Sequence, residues 1–192
     1  MKKSVIHGRF QLLHLDHIKY LMEGFKRSDY MTIGITNFEP IAGVTGGNDK
    51  LAQMSHFKRE SNPFTYYERM QMIMRSLKGE GVPQEMYDIT PFPIEFPERI
   101  NNYAPKNATY LMTIDDEWGR EKLKRLQGLG LKTEVMWERT HADRFTSGTV
   151  VRELIAGNKP WEHLVPAEVY KYVIENKLDE RIRQIAQQSK NY

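Results

Sequence analysis

The stretch Gly8-Arg9-Phe10-Gln11-Leu12-Leu13-His14-Leu15-Asp16-His17 decides the fold of this chain. It follows a short apolar segment, residues 4–7, that is typical of a β-strand, and it leads into an amphipathic helix at residues 15–26. Two histidines three residues apart therefore stand where a strand turns into a helix. Because the first N–H groups of a helix are unsatisfied and partly positive, this turn favours an anion such as phosphate.

Residues 30–36 form a second, continuously apolar strand. A strand, a helix and such a strand in succession predict a parallel βαβ unit, whose ligand site lies at the carboxyl ends of the strands. Further strands are expected at residues 85–91, 109–114 and 132–137, and helices at 67–77 and 118–126. We therefore predict an α/β fold, a doubly wound parallel five-stranded sheet with C-terminal helices.

With 192 residues, the chain is expected to form one domain, 1–192. Residues 38–61 lose all periodicity and are predicted to be an insertion, for which a lid is one interpretation. Order returns at Thr65, which has capping-box spacing to Glu68. Residues 160–192 are expected to be a C-terminal helical part of the same domain.

Composition narrows the classes of function. The absence of cysteine excludes disulfides, thiolate metal sites and a cysteine nucleophile, and it is compatible with the cytoplasm, which we expect as the location. No apolar run approaches the ~20 residues of a membrane span. The net charge of +3 is small and its lysines and arginines are scattered, so neither a nucleic acid nor a membrane is expected as a partner.

A second turn of the same character is Thr146-Ser147-Gly148-Thr149, with Arg152 one helical turn later. Glycine and small hydroxyl residues let backbone N–H groups approach an anion, and an arginine there can bind two phosphate oxygens. A serine before a helix is more often an ordinary N-cap, so both interpretations stay open at this point.

The two histidines also have more than one interpretation. His14 and His17 are donors to phosphate, groups that cap or pack, or ligands of a metal. A metal site is the least supported, because the remaining histidines show no paired ligand spacing. Gly8, Arg9 and Gln11 beside them favour phosphate.

These segments resemble a known family. The first stretch resembles the GRFQPxH-x-GH signature of the HxGH nucleotidyltransferases, and Ser147-Gly148-Thr149 to Arg152 is similar to their second signature, SGTxxR. Asn62-Pro63-Phe64-Thr65 with Glu68-Arg69, and the segment at 161–166, are similar to parts of the archaeal-type nicotinamide mononucleotide adenylyltransferases. The resemblance covers most of the chain outside residues 38–61.

The resemblance implies a Rossmann-like fold that transfers a nucleoside monophosphate from a triphosphate, with ATP favoured, to nicotinamide or nicotinate mononucleotide in NAD biosynthesis, and releases pyrophosphate. It implies that His14, His17 and Arg152 are catalytic. Mg²⁺ is expected, held mainly by phosphate oxygens and water. Because related enzymes assemble, a homo-oligomer is one expected form. The nucleotide-binding residues implied are Gly8, Arg9, Phe10, Gln11, Asp16, Ser147, Gly148 and Thr149.

Asp16 departs from this signature, because it stands where the family has glycine. The alternatives are that it caps the helix, that it contacts ribose hydroxyls, or that it contacts an exocyclic amine of the base. The base is therefore open, and a CTP-dependent cytidylyltransferase for a phosphate or phosphonate acceptor is the second hypothesis. A nucleotide-binding regulatory module without turnover is the third, against which the intact His14, His17 and Arg152 argue.

The segments near the expected acceptor also depart from the family. Asn37 follows the second strand where the adenylyltransferases carry a Gly-Ser-Ala turn, and residues 113–119 replace a Ser-Gly-Asn-Pro turn. For Trp118, packing on the core and stacking on a ligand are equal alternatives. For Asp115 and Asp116 the alternative is capping of the next helix, and for Arg69 and Lys58-Arg59 it is a solvated surface. The acceptor-binding candidates are Asn37, Arg69, Asp115 and Trp118.

Overall fold

A computed structural model describes residues 1–39 and 59–189 of the chain. In this part the strands are β1 (Lys3–Gly8), β2 (Tyr30–Ile35), β3 (Tyr87–Pro91), β4 (Thr109–Ile114) and β5 (Lys132–Glu138). The α-helices are α1 (Leu15–Phe25), α2 (Tyr66–Gly79), α3 (Glu117–Gly128), α4 (Gly148–Ala156), α5 (Ala167–Glu175) and α6 (Leu178–Ser189).

The five strands form one parallel sheet, as predicted, and their order in it is β3-β2-β1-β4-β5. Both faces of the sheet are covered. Ile6 of β1 belongs to a buried cluster that includes side chains of α1 and α2, whereas Val5 belongs to a second cluster with Leu126 of α3. Strand β1 is apolar on both faces because helices pack on each of them.

The order of the strands places a crevice at the end of β1. The chain moves from β1 to β2 and β3 on one side, and then crosses to β4 and β5 on the other. The carboxyl ends of all five strands lie at one edge of the sheet because all are parallel. Ligands of open α/β sheets bind at such a switch point.

The C-terminal helices pack on the same core cluster as α1 and α2. Arg181 of α6 donates to both carboxylate oxygens of Glu68, at 2.7 and 2.8 Å. Glu68 also completes the capping box with Thr65 at the start of α2, as the spacing predicts. The last helix is therefore tied to the beginning of α2.

Several details differ from the sequence prediction. A short 3-10 turn occupies Gln84–Met86, so β3 begins at Tyr87 instead of residue 85. The apolar pattern of α2 favours Met70 and Met74 as core residues, but the fully buried methionine is Met72, and the other two are partly buried. This face of α2 lies against both the sheet and α5.

The predicted lid lies largely outside the described residues. Of residues 38–61, only 38–39 and 59–61 are described, and Arg59–Ser61 form a 3-10 turn. Lys58, a candidate for binding the phosphate of the acceptor, also lies outside the described residues. In the described residues, no helix has the length and apolar character needed to cross a bilayer.

Candidate active site

A cavity of about 510 Å³ opens at the carboxyl edge of the sheet, between the turn after β1 and the turn before α4. Both turns contribute to its wall. Arg69 is the one predicted site residue that does not line it. The predicted residues that do are Gly8, Arg9, Phe10, Gln11, His14, Asp16, His17, Asn37, Asp115, Trp118, Ser147, Gly148, Thr149 and Arg152.

The two histidines lie ring on ring at the start of α1. His14 is the N-cap residue, and its carbonyl accepts from the N–H groups of His17 and Ile18, at 2.9 and 3.1 Å. The imidazoles stack with their centroids 3.7 Å apart, and the ring of Phe10 meets His17 edge-on at 5.0 Å. The side chain of His14 makes no capping bond. The pair is thus packed into one rigid wall of the cavity.

Both imidazoles are neutral at pH 7. Burial lowers the pKa of His14 to about 4, although the carboxylate of Asp16 opposes this shift. Burial, together with the neighbouring His14 and Arg144, lowers the pKa of His17 well below its usual range. In the described structure, Nδ1 of His14 and Nδ1 of His17 are buried without a hydrogen-bond partner. Buried polar atoms of this kind are uncommon, and a ligand with complementary oxygens would satisfy them.

The second turn meets the first at one carbonyl oxygen. Ser147 caps α4 by accepting from the N–H of Val150 at 3.2 Å. A Cβ at Gly148 would lie 2.5 Å from the carbonyl oxygen of Gln11, so only glycine fits there. The guanidinium of Arg152 donates to that same oxygen and to the hydroxyl of Thr149. Burial lowers the pKa of Arg152 to about 10, so this side chain keeps its charge at neutral pH.

The side chain of Gln11 braces the first turn. Its amide nitrogen donates to the carbonyl of Phe64 at 3.0 Å, and its amide oxygen accepts from the N–H of Phe64 at 3.0 Å. The resemblance implies that Gln11 binds nucleotide, but in the structure its buried amide forms hydrogen bonds with the segment that precedes α2.

Phe10 has a packing role of the same kind. Its ring is fully buried and its φ is +51°. A Cβ on Gly8 would lie 3.0 Å from this ring, so Gly8 lets the aromatic side chain fold beneath the turn.

Arg69 lies beneath the cavity, which corrects its assignment to the acceptor. Only 1% of the residue is exposed. Its guanidinium donates to the carbonyls of Arg9, Thr36 and Asn37 at 2.7–2.8 Å, and to that of Thr65 at 3.2 Å. These bonds fix the ends of β1 and β2 from below, and they use the donors that an acceptor phosphate would require.

Asp16 joins the two turns. Its carboxylate accepts from the backbone N–H of Thr146 at 3.2 Å and lies 3.9 Å from the guanidinium of Arg139. The residue is 3% exposed, and it lines the cavity. Of the alternatives for this position, capping of α1 is not what the structure shows, because the carboxylate points across to the segment that precedes α4.

Three residues that follow β4 have different roles. Asp116 caps α3 by accepting from the N–H of Gly119 at 2.7 Å, as one interpretation predicts. Asp115 instead pairs with Arg139 at 3.0 Å and with Arg144 at 2.5 Å. Trp118 is half-buried beside the cavity, with the guanidinium of Arg125 4.8 Å from its ring centroid.

Sequence reasoning missed several polar side chains of the cavity wall. Arg139 and Arg144 stand in the polar link just before the second turn, which was a usable signal. Lys122 follows Trp118 by four residues on α3, so helical spacing would have placed both on one face. The histidine and the charged side chains of the wall that were not named as site candidates are His7, Glu95, Lys122, Arg139 and Arg144.

The charges of the cavity are nearly balanced. Its wall carries five basic side chains and four carboxylates. Since Asp16 and Asp115 hold the arginines in place, the basic groups are preorganised for an anion. Within residues 1–39 and 59–189, no three His, Asp or Glu side chains come together as a group that could hold a metal ion.

Two proteins that are similar to this chain over nearly its whole length are both nucleotidyltransferases. No protein-family profile matches the chain. It is 48% identical over 180 residues to a phosphonoformate cytidylyltransferase of Streptomyces viridochromogenes, covering 94% of this chain and 95% of that protein. It is 31% identical over 187 residues to a nicotinamide-nucleotide adenylyltransferase of Saccharolobus solfataricus, covering 96% and 97%.

A similar solved structure is the bifunctional NMN adenylyltransferase/ADP ribose pyrophosphatase of Francisella tularensis, with a TM-score of 0.65 at 14% identity. The match covers 97% of this chain but spans only 54% of that one. At this identity the likeness concerns the fold.

Proposed function

This chain belongs to the nucleotidyltransferases, and from that membership we propose that it transfers a cytidylyl group from CTP to a small acceptor that carries a phosphonate or phosphate group, with release of pyrophosphate. One observation carries the proposal. The two anion-binding turns meet at the carbonyl of Gln11, where Gly148 and Arg152 both contact it, so they enclose one triphosphate-sized cavity.

The choice of CTP rests on the relatives. The phosphonoformate cytidylyltransferase is 48% identical over nearly the whole chain, whereas the adenylyltransferases are about 30% identical. ATP-dependent transfer to nicotinamide mononucleotide is the second candidate, and full-length coverage by those adenylyltransferases favours it. The module without turnover is not supported, since these relatives are enzymes.

The reaction needs no covalent intermediate. An anionic oxygen of the acceptor attacks the α-phosphorus of the triphosphate, a new P–O bond forms, and the bond to the β-phosphate oxygen breaks. Its electron pair leaves with pyrophosphate. Because the attacking oxygen is already deprotonated at neutral pH, no general base is required. The residues position the two substrates in line and stabilise the charge that develops.

We assign the roles as follows. His14 and His17, as neutral rings, donate N–H groups to the triphosphate, with His17 favoured at the α-phosphate. Arg152 and the N–H groups at the start of α4 bind the β- and γ-phosphates. Mg²⁺ enters as part of the substrate, bound to phosphate oxygens and water. The cytoplasm is the proposed location because a chain without cysteine needs no oxidising compartment.

The test is pyrophosphate release with each of the four triphosphates and with acceptors that include phosphonoformate, methylphosphonate and nicotinamide mononucleotide. We expect turnover with CTP and a phosphonate. Turnover only with ATP and nicotinamide mononucleotide would replace this proposal with the second candidate.

A further inference from the structure

His7 is a buried histidine that the triphosphate does not account for. It is the penultimate residue of β1, is 4% exposed and lines the cavity. Its ring stacks on Phe92 with centroids 4.7 Å apart and an angle of 14°. In the described part of the chain, neither Nδ1 nor Nε2 has a hydrogen-bond partner. Since buried polar groups nearly always have partners, this ring is placed for a ligand.

His7 faces the opposite side of the sheet from the histidine pair. Residues two apart in a strand share a face, so His7 points to the side of Val5. Val5 and Phe92 belong to the core cluster beneath α3, whereas α1, which carries His14 and His17, covers the other face. The cavity thus reaches around the end of β1 to two separate groups of donors.

Lys122 of α3 is a cation on this side, and the charge of Arg9 acts on it. It lines the same cavity, and no carboxylate in residues 1–39 and 59–189 forms an ion pair with it. Burial lowers the pKa of Lys122, while Asp116 and Asp115 oppose the shift. Burial and the charge of Lys122 also lower the pKa of His7 to about 3, so His7 is a neutral ring with one N–H donor. An ammonium beside a neutral donor is an arrangement that binds an anion.

Resting on the proposed function, we propose that His7 and Lys122 form a second anion subsite, which binds an anionic group of the acceptor other than the group that attacks. The acceptor is then a compact molecule with two anionic groups, one of which is a carboxylate or a second phosphoryl group. Lys122 supplies the charge and His7 fixes the direction of one oxygen by its N–H. An acceptor without the second anion leaves the N–H of His7 without an acceptor oxygen.

The test compares phosphonoformate with methylphosphonate, which lacks the carboxylate, by kcat/KM for pyrophosphate release with whichever triphosphate supports turnover. We expect wild-type protein to prefer phosphonoformate. A hydrogen bond to a charged group contributes about 1.5–3 kcal/mol. The kcat/KM of Lys122→Gln with phosphonoformate is therefore expected to be about 10- to 100-fold lower than that of wild type. Its loss of kcat/KM with methylphosphonate is expected to be clearly smaller.

Two further variants keep the result interpretable. His7→Phe retains the stacking on Phe92 and removes the N–H, and it is expected to reduce the same preference. Lys124→Gln makes the same charge change at an exposed position of α3, and it is expected to change kcat/KM with neither acceptor. Equal use of both acceptors by wild type, or an equal loss with both in Lys122→Gln, would overturn the subsite.

The subsite can be tested even if the proposed function is wrong. If no triphosphate gives turnover, calorimetric binding of phosphonoformate to wild type and Lys122→Gln still measures the subsite. Weaker binding by the variant supports it, and equal affinity or a lack of binding to either protein refutes it.

Discussion

The carboxylate of Asp16 accepts a hydrogen bond from the backbone N–H of Thr146 at 3.2 Å. One side chain in the first turn of α1 therefore holds the segment that leads into α4. The position where the family signature has glycine is, in this chain, a clamp between the two turns that we propose to bind phosphate.

Asp16→Ala is expected to destabilise the protein, because it leaves a buried N–H without its acceptor and Arg139 with one carboxylate fewer. Loss of such a partner costs about 1–3 kcal/mol. We also expect a higher KM for the triphosphate. Asp16→Asn keeps an acceptor oxygen and is expected to be milder. Urea unfolding measures the first effect, with the exposed Asp88→Ala as control. Equal stability of Asp16→Ala and wild type would contradict the clamp.

His17→Ala is expected to lower kcat for pyrophosphate release by about 100-fold or more, since a donor to transition-state charge is lost. Binding of the triphosphate, measured by calorimetry, is expected to change less than kcat. The exposed His163→Ala serves as the control and is expected to keep full activity. A His17→Ala variant with wild-type kcat would remove this residue from the catalytic set.

Gly148→Ala is expected to impair triphosphate use, because a Cβ there lies 2.5 Å from the carbonyl oxygen of Gln11 and pushes the two turns apart. The matched control is Gly128→Ala in α3, where a Cβ has open space. That control is expected to be neutral or slightly stabilising, by up to about 1 kcal/mol. Steady-state kcat/KM for the triphosphate distinguishes the two variants, and equal values would show that the close approach is dispensable.

Arg69→Gln is expected to act on stability and not on acceptor affinity. The change leaves buried carbonyls of the β1 and β2 turns without a charged donor, a loss of about 3 kcal/mol or more. Lys78→Gln, at an exposed position of the same helix, is expected to stay within about 0.5 kcal/mol of wild type. A raised KM for the acceptor at unchanged unfolding free energy would restore Arg69 to the acceptor site.

The ligand-free protein is expected to lose stability as the pH falls from about 6.5 to 4. The pKa of His14 is lowered to about 4 in the folded state, against 6.5 for an exposed histidine, so the unfolded chain takes up the proton first. The contribution is complete above pH 6.5 and declines below it by about 1.4 kcal/mol per pH unit. Because the pKa values of His7 and His17 are lowered as well, His14→Asn is expected to reduce this pH dependence of the unfolding free energy without abolishing it. An unchanged slope in this variant would show that His14 does not contribute to it.

The sequence predicts the fold well because its decisive signals are local. The apolar run around Ile33 and the capping box of Thr65 and Glu68 each act within a few residues. The two turns that we propose to bind anions can also be recognised in the sequence, since glycine and hydroxyl residues at helix starts have a direct physical meaning.

Which polar side chains face the cavity and which only bind the protein backbone could not be predicted in the same way. Gln11 and Arg69 occupy family-like positions, and a polar side chain there looks the same in sequence whether it faces a ligand or a backbone carbonyl. His7 lies at the strand end where the sequence predicts the ligand site, but no role could be assigned to it, because one polar residue at the end of an apolar strand has no pattern around it. These roles depend on which distant segments meet, and that information is tertiary.

The contact between Arg152 and the carbonyl of Gln11 joins residues 141 positions apart. During synthesis, therefore, the turn after β1 emerges long before the turn that precedes α4, and no fragment ending before α4 possesses both of the turns that we propose to bind the triphosphate. Enzymatic turnover is consequently expected only from chains that have completed folding. A split version of the protein, cut between β3 and β4, would recover activity only when its two halves reassemble.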